Sequence, residues 1–217
     1  MRFFNRILDL VFPPKCVFCG TILETSAEKI CPDCAKQLPR WSNERAKKAE
    51  FLPQIAAALY YEDSVRESVH RYKFAGRSHY APTYAALTAM AVSEQLTENF
   101  DTLSYVPLSR KRLRQRGYDQ ARLLAEELGK HFGMEVETLL VKVRDVPAQS
   151  SMKTAAERRA NISGCYALAE GVDVTGKRIL LVDDVLTTGA TLSEAARMLR
   201  MSGAAAVYGA ALCSVRK

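Results

Sequence analysis

No apolar run in this chain approaches the roughly 18–20 residues that a helix needs to cross a bilayer, so a membrane span is not expected. No G-x-x-x-x-G-K-[ST] occurs, which argues against the phosphate cradle of P-loop nucleotide hydrolases. Histidine is scarce: His70, His79 and His131 are scattered, fit no metal-ligand spacing and read as surface or helix residues. There is one tryptophan, Trp41, and there are no internal repeats or low-complexity stretches. The opening MRFFNRILDLVFPP also lacks the marks of a secretion signal: Asn5, Arg6 and Asp9 interrupt its apolar stretch and no small-residue cleavage site follows. Phe3, Phe4, Ile7, Leu8, Leu10 and Val11 instead fit an amphipathic helix docked on the body of the protein. Asp9 and only two arginines make a poor anchor for anionic lipid. A cytoplasmic address is expected.

What is present is ordinary for a soluble globular protein. The 217 residues are 48% hydrophobic and 25% charged, enough for one α/β domain and a small extra module. A net charge of +7 suggests polyanionic partners without choosing between nucleic acid and phosphate-rich ligands.

Three parts follow along the chain. Residues 1–41 hold the lead helix, stopped by Pro13-Pro14, and four cysteines. Residues 42–54 are a polar connector. From residue 55 to 217, strand-like and helix-like segments alternate. Strands are expected at 55–63, 102–108, 137–143, 178–182 and 204–213. Helices are expected from Ser64, as a cap, through Tyr72, and at 81–98, 118–132, 155–163 and 191–202. Such alternation indicates a parallel α/β sheet flanked by helices, with ligands at the carboxyl edge of the strands.

The most informative stretch is ILLVDDVLTTGATL, 179–192. A buried strand ends in Asp183 and Asp184, carboxylates that can accept hydrogen bonds from two adjacent sugar hydroxyls and sit near Mg²⁺. Thr187, Thr188, Gly189, Ala190 and Thr191 turn into a helix, whose first N–H groups favour an anion. Carboxylates for a ribose beside donors for a phosphate describe a ribose 5-phosphate. The plain alternative is a strand end with a capped helix, and a rival functional reading is an acidic Mg²⁺ site.

VDDVLTTGATL resembles the signature of type I phosphoribosyltransferases, which bind phosphoribosyl pyrophosphate (PRPP). That resemblance implies the type I phosphoribosyltransferase fold. It also implies Mg²⁺–PRPP held with its 5-phosphate on residues 187–191 and its ribose on the catalytic pair Asp183 and Asp184. Pyrophosphate would leave as a nucleophile attacks the anomeric carbon.

RKRLRQRG, 110–117, carries Arg110, Lys111, Arg112, Arg114 and Arg116 directly after the SYVPL strand. In a fold of this type the loop here contacts pyrophosphate, so Pro107, Leu108, Ser109 and Arg110 are candidates for it. Arg112, Arg114 and Arg116 are candidates for polyphosphate contact through bidentate guanidinium groups. The alternatives are a nucleic-acid backbone track, with Tyr118 stacking a base, and a solvated charged face.

Two further segments narrow the likeness. RKRLRQRGYDQARLLAEELG and RDVPAQSSMKTAAERRANISGCYAL are similar to those of the ComF family of competence-associated proteins. The second resembles that family's flexible loop, with Gln149, Arg158 and Asn161, followed by Gly164 and the aromatic Tyr166. HRYKFAGR, 70–77, resembles its YKF-G-R segment and is placed near the ligand cleft. Asp119 stands where the family more often has asparagine, which suggests a local ion pair with an arginine. The resemblance implies single-stranded DNA and competence-machinery proteins as partners.

Cys16-Val17-Phe18-Cys19-Gly20 and Cys31-Pro32-Asp33-Cys34 are two knuckles separated by eleven residues. Four thiolates suit tetrahedral Zn²⁺, and metal outranks disulfide in a chain without a secretion signal. Cys16, Cys19, Cys31 and Cys34 are therefore expected to bind a structural zinc, because about 25 residues cannot bury a core of their own. Gly20 fits the turn after the first knuckle; Ala35 makes the second a weaker match. Trp41 is expected to pack the module onto the domain, and Cys165 and Cys213 to be buried fillers. Two functions stay open: a Mg²⁺–PRPP-dependent protein, and a non-catalytic single-strand DNA handling protein whose PRPP site is a sensor or relic. Neither turnover nor an acceptor can be read from the chain.

Overall fold

Residues Ile179 to Val182 form an unbroken apolar run because their strand is covered on both faces. A computed structural model of the protein describes residues 13–41, 49–144 and 163–216. In it, strand β1 (Ile55–Tyr60), β2 (Thr102–Tyr105), β5 (Arg178–Leu186) and β6 (Ala206–Ser214) build one parallel sheet in the order β1-β6-β5-β2. Side chains alternate across a strand, and the two faces are separate cores. Leu180 and Val182 join Leu103, Leu212, Tyr84, Leu124 and Leu128 on one face. Ile179 and Leu181 join Val207, Leu192, Ala195 and Leu199 on the other.

The helices supply those covers. α2 (Asp63–Phe74), α3 (Ala81–Gln95) and α5 (Gln120–Phe132) lie on the first face, and α6 (Ala190–Met201) lies on the second. Two elements break the parallel pattern. Short strands β3 (Leu140–Lys142) and β4 (Tyr166–Leu168) pair antiparallel as a separate two-stranded sheet. The basic segment, for which no helix is expected from the sequence, is a helix, α4 (Arg110–Arg116). Ser109 caps it and Gly117 ends it, so local capping organises a run with no buried side chain.

Other boundaries move for local reasons. Ser64 is not a cap: the helix already begins at Asp63, with Glu62 preceding it. β5 runs four residues past Val182, because β6 continues beside it and pairs as far as Leu186 with Ser214. At the sheet's edge, Trp41 N–H donates to Ala58 O at 3.0 Å and Tyr60 N–H to Pro39 O at 2.7 Å. Trp41 is buried there against Ala57 and Tyr60, which covers an edge that would otherwise expose unpaired backbone. No helix among the described residues is long and apolar enough to cross a membrane. The expected lead helix over most of residues 1–14 and the basic helix at 155–163 lie outside the described residues, apart from Pro13, Pro14 and Ser163.

Candidate functional site

The sheet delivers Asp183 and Asp184 at the carboxyl end of β5, one of its two inner strands, but inside the ladder rather than beyond it. Asp183 lies opposite Ala211 on β6, and Val185 opposite Cys213. Consecutive strand residues point to opposite faces, so the two carboxylates flank the backbone instead of standing side by side. Asp183 turns back to accept the Asp184 N–H at 2.8 Å. Asp184 accepts from Lys73 Nζ at 2.7 Å, with the two side chains only 17% and 13% exposed.

These surroundings set the charges. Burial raises Asp183 from its ordinary range to about 7, the Asp184 charge adds to the rise, and Lys73 opposes it. Burial alone would lower Lys73, but the Asp184 carboxylate more than offsets that and holds the ammonium above its ordinary value. The site thus carries a carboxyl poised near neutrality beside a fixed ion pair.

After β5 the chain turns at Thr187–Gly189 into α6. Gly189 sits at φ +80°, the left-handed region that other residues avoid, and a Cβ there would stand 3.5 Å from the Ala49 Cβ. No side chain caps α6 at Gly189. Thr188 Oγ1 accepts the Ala190 N–H in a long contact of 3.4 Å, and Thr187 and Thr191 lie half-buried beside it. This is a helix N-terminus with N–H groups and hydroxyls gathered at one sheet edge, the arrangement that attracts a phosphate.

The segment Pro107–Arg110 is held by Asp119. One Asp119 oxygen accepts the Leu108 N–H at 2.8 Å; the other accepts the Ala121 and Arg122 N–H groups at 3.1 and 3.2 Å and caps α5. The expected Asp119–arginine ion pair is therefore replaced by a helix cap. Burial raises its pKa, and the three backbone donors pull it back. An aspartate directly before the apolar period of ARLLAEEL is an N-cap signal that could have been read from the sequence. The arrangement also limits the backbone donors of this loop: Pro107 has no N–H and Leu108 has given its own, while the Ser109 hydroxyl, which accepts from Arg112 N at 3.3 Å, keeps its O–H to donate. The Arg110 side chain is exposed, those of Arg112 and Arg116 half-buried and that of Arg114 exposed.

Asp119→Ala is expected to cost about 1–2 kcal/mol through the lost cap, lowering the melting temperature by roughly 2–8 °C for a chain of this size. Thermal denaturation checks this; an unchanged melting temperature would mean that the cap is not needed.

Tyr118 is not an exposed stacking ring. It packs on Tyr72 with centroids 5.7 Å apart and its hydroxyl donates to the Tyr72 carbonyl. The exposed aromatic nearby is Phe74, 60% exposed, with the Arg116 guanidinium 4.9 Å over its ring and Arg116 fixed by Gln120 Oε1 at 2.7 Å. An open cavity of about 840 Å³ lies between Pro107–Arg110, α4, the start of α5 and β3, with Arg110, Arg122 and Lys142 on its wall. Asp183 and Asp184 are not part of that wall. Gln149, Arg158 and Asn161 lie outside the described residues.

The cysteine module presents a second site. The sulfur atoms of Cys16, Cys19, Cys31 and Cys34 all lie within 4.8 Å of one another, and Cys19 and Cys31 are 3.6 Å apart. Tetrahedral zinc with Zn–S of about 2.3 Å spaces its sulfurs about 3.8 Å apart, so this donor set fits that ion. Backbone N–H groups of Cys31 and Cys34 approach the sulfurs of Cys16 and Cys31, each at 3.4 Å. Gly20, at φ +80°, closes the first knuckle, with its N–H on Cys16 O at 2.9 Å. The second knuckle closes differently: it opens helix α1 (Pro32–Gln37), with Cys31 as its N-cap, which is why Ala35 serves where a glycine was expected. Cys165 and Cys213 are buried, as expected of fillers.

Comparison with known proteins follows this division. The family model of the double zinc ribbon domain matches residues 7–48, and that of the phosphoribosyl transferase domain matches residues 116–217. Competence protein F of Haemophilus influenzae is 29% identical over 88% of this chain and 80% of its own length. Competence protein ComFC of Bacillus subtilis is 30% identical over 88% of this chain and 73% of its own. The DNA utilization protein YhgH of Escherichia coli is 28% identical over 91% of this chain and 83% of its own.

Proposed function

Because this chain belongs to the ComF family of competence-associated proteins, we propose that it binds Mg²⁺–PRPP at the carboxyl end of β5, in a role tied to DNA uptake. One observation carries the reading: β5, the acid pair, the Thr187–Gly189 turn and the start of α6 follow one another at a single sheet edge. A ribose 5-phosphate carries an anion and a diol, the two chemistries that the turn and the acid pair answer. The 5-phosphate would take the N–H groups and hydroxyls of Thr187 to Thr191. The pentose hydroxyls would meet Asp183 and Asp184. Arg110 lies at the loop that would receive pyrophosphate, and Arg112, Arg114 and Arg116 follow it on α4.

Any transfer would proceed by cleavage of the bond between the anomeric carbon and the pyrophosphate oxygen as an acceptor attacks. The carboxylates would stabilise the positive charge that develops on the ring, and the Mg²⁺ that arrives with the substrate would share the leaving charge with the arginines. Zinc belongs to the cysteine module, where it would hold the two knuckles together; four sulfurs leave no position for catalytic water.

A second reading, single-strand DNA handling, is favoured by the exposed Arg110, Lys111 and Arg114 of α4 and by Arg116 of the same helix lying over the exposed Phe74 ring. Cations interleaved with an aromatic ring suit a strand whose bases stack. Calorimetric titration of Mg²⁺–PRPP into the zinc-loaded protein separates the two. Micromolar binding is expected. No PRPP heat, together with oligonucleotide binding that weakens steeply with salt, would transfer the function to the second reading.

A further inference from the structure

The last turn of α2 is clamped in three directions by three consecutive residues. Arg71 reaches the first cysteine knuckle, where its Nη2 donates to Val17 O at 3.1 Å and to Phe18 O at 2.6 Å. Tyr72 is fully buried, donates its hydroxyl to Gln120 O at 3.0 Å and meets Tyr84 edge-on at 5.2 Å. Lys73 reaches Asp184 at 2.7 Å. Residues two apart on a helix point roughly 200° apart, so Arg71 and Lys73 necessarily face opposite ways, one toward the cysteines and one toward the sheet edge. The knuckle is held from the same helix one turn earlier, by Ser68 donating to Val17 O, and Phe18 is fully buried beside Tyr84, with ring centroids 6.1 Å apart.

A helix turn gripped at both ends moves as a unit. Val17 and Phe18 lie between the first two cysteines, so their carbonyls keep the direction that Arg71 needs only while the knuckle is closed. We propose that α2 is a strut through which the metal-closed knuckle sets the position of Lys73, making Lys73 a positioning residue for Asp184 and hence for the ribose of a bound phosphoribosyl ligand. Zinc occupancy at the cysteines then governs affinity at the carboxylates, although no cysteine touches that site. The inference rests on the reading of the β5 end as a PRPP site.

The test uses the full zinc-loaded chain. Arg71→Met and Lys73→Met are each expected to retain one zinc per chain and to weaken Mg²⁺–PRPP about tenfold by calorimetry. The double variant is expected to be no weaker than either single one, because both changes cut the same path. Wild-type affinity in zinc-retaining Arg71→Met, or effects that simply multiply in the double variant, would overturn the strut. If Arg71→Met sheds zinc, Ser68→Ala takes its place under the same two outcomes. Amide exchange gives a second readout that needs no ligand: Arg71→Met is expected to quicken exchange at 183–186 with zinc still bound. Unchanged exchange there sinks the strut itself. Quickened exchange in a protein whose wild type ignores PRPP would sink only the ligand reading.

Discussion

Asp183→Asn together with Asp184→Asn is expected to weaken the proposed Mg²⁺–PRPP binding by at least about 100-fold and to leave the protein folded. Each carboxylate would lose a charge-assisted hydrogen bond to a pentose hydroxyl, worth about 1.5–3 kcal/mol, and each 1.4 kcal/mol is a factor of ten. The stability outcome comes from two opposed changes. Asp184→Asn leaves Lys73 with no carboxylate in a site where it is 17% exposed, which is destabilising. Asp183→Asn acts the other way. Its carboxyl is raised to about 7, first by burial and then by Asp184, whereas an unfolded aspartate titrates near 3.9. Between those values the folded chain binds more protons than the unfolded one, so Asp183 makes stability fall as pH rises through the window. Above pH 7 the folded state bears the whole penalty; below about 4 it bears none. The single Asp183→Asn variant should therefore melt higher than wild type at pH 8, with the difference vanishing toward pH 4. Calorimetric titration and melting curves at the two pH values check both parts. Retained affinity in the double variant would remove PRPP from this site, and a pH-independent melting difference would mean that Asp183 is not held near neutrality.

The same ion pair explains what could be read from the sequence. The β5 segment was legible because a strand buried on both faces reads as a continuous apolar run, and because Asp-Asp followed by Thr-Thr-Gly is a dense local pattern. What the pattern does not carry is partnership across the chain. Lys73 lies 111 positions from Asp184; the resemblance of HRYKFAGR places the segment near the cleft, but nothing local picks Lys73 as the partner of Asp184. The length of β5 was missed for a related reason: whether Asp183, Asp184 and Val185 stay in a ladder depends on how far β6 extends beside them. Leu186 pairs with Ser214 only because both strands run on.

The basic segment shows the opposite failure. Five cations in seven residues look like an unstructured phosphate track, yet a serine cap and a left-handed glycine turn RKRLRQR into helix α4. The start and stop signals, Ser109 and Gly117, stand at either end of the charge run. At Asp119 the bias was toward a side-chain partner among the arginines, when three backbone N–H groups were nearer. The cysteines were legible because C-x-x-C pairs encode a metal site locally. How the knuckle is held was not, since Ser68 and Arg71 meet it from 51 to 54 positions away.

Removing zinc is expected to unfold the module and to lower the melting temperature of the whole chain by on the order of 10 °C. Within residues 13–41 themselves the packing is small: α1 buries no side chain, and the module's buried hydrophobics are Cys16, Val17, Phe18, Leu23, Cys31 and Trp41. Without a closed knuckle, Phe18 and Val17 leave the core that they share with Tyr84 and Tyr72. Burying one such side chain contributes about 1.5–3 kcal/mol, so two contribute about 3–6 kcal/mol, and each 1 kcal/mol moves the melting point about 2–4 °C in a chain of this size. Cys16→Ser should have nearly the full effect, because Cys16 is wholly buried and its sulfur accepts from Cys31 N–H. The Trp41 fluorescence gives a local report, since Trp41 packs on β1 beside the module: chelation should shift its emission at temperatures where the sheet is still folded. Metal analysis would find one zinc per chain before chelation and none after. A protein that contains no metal and melts identically with and without chelator would show that the four thiols cluster for another reason, and would leave the first knuckle's hold on Arg71 independent of any ion.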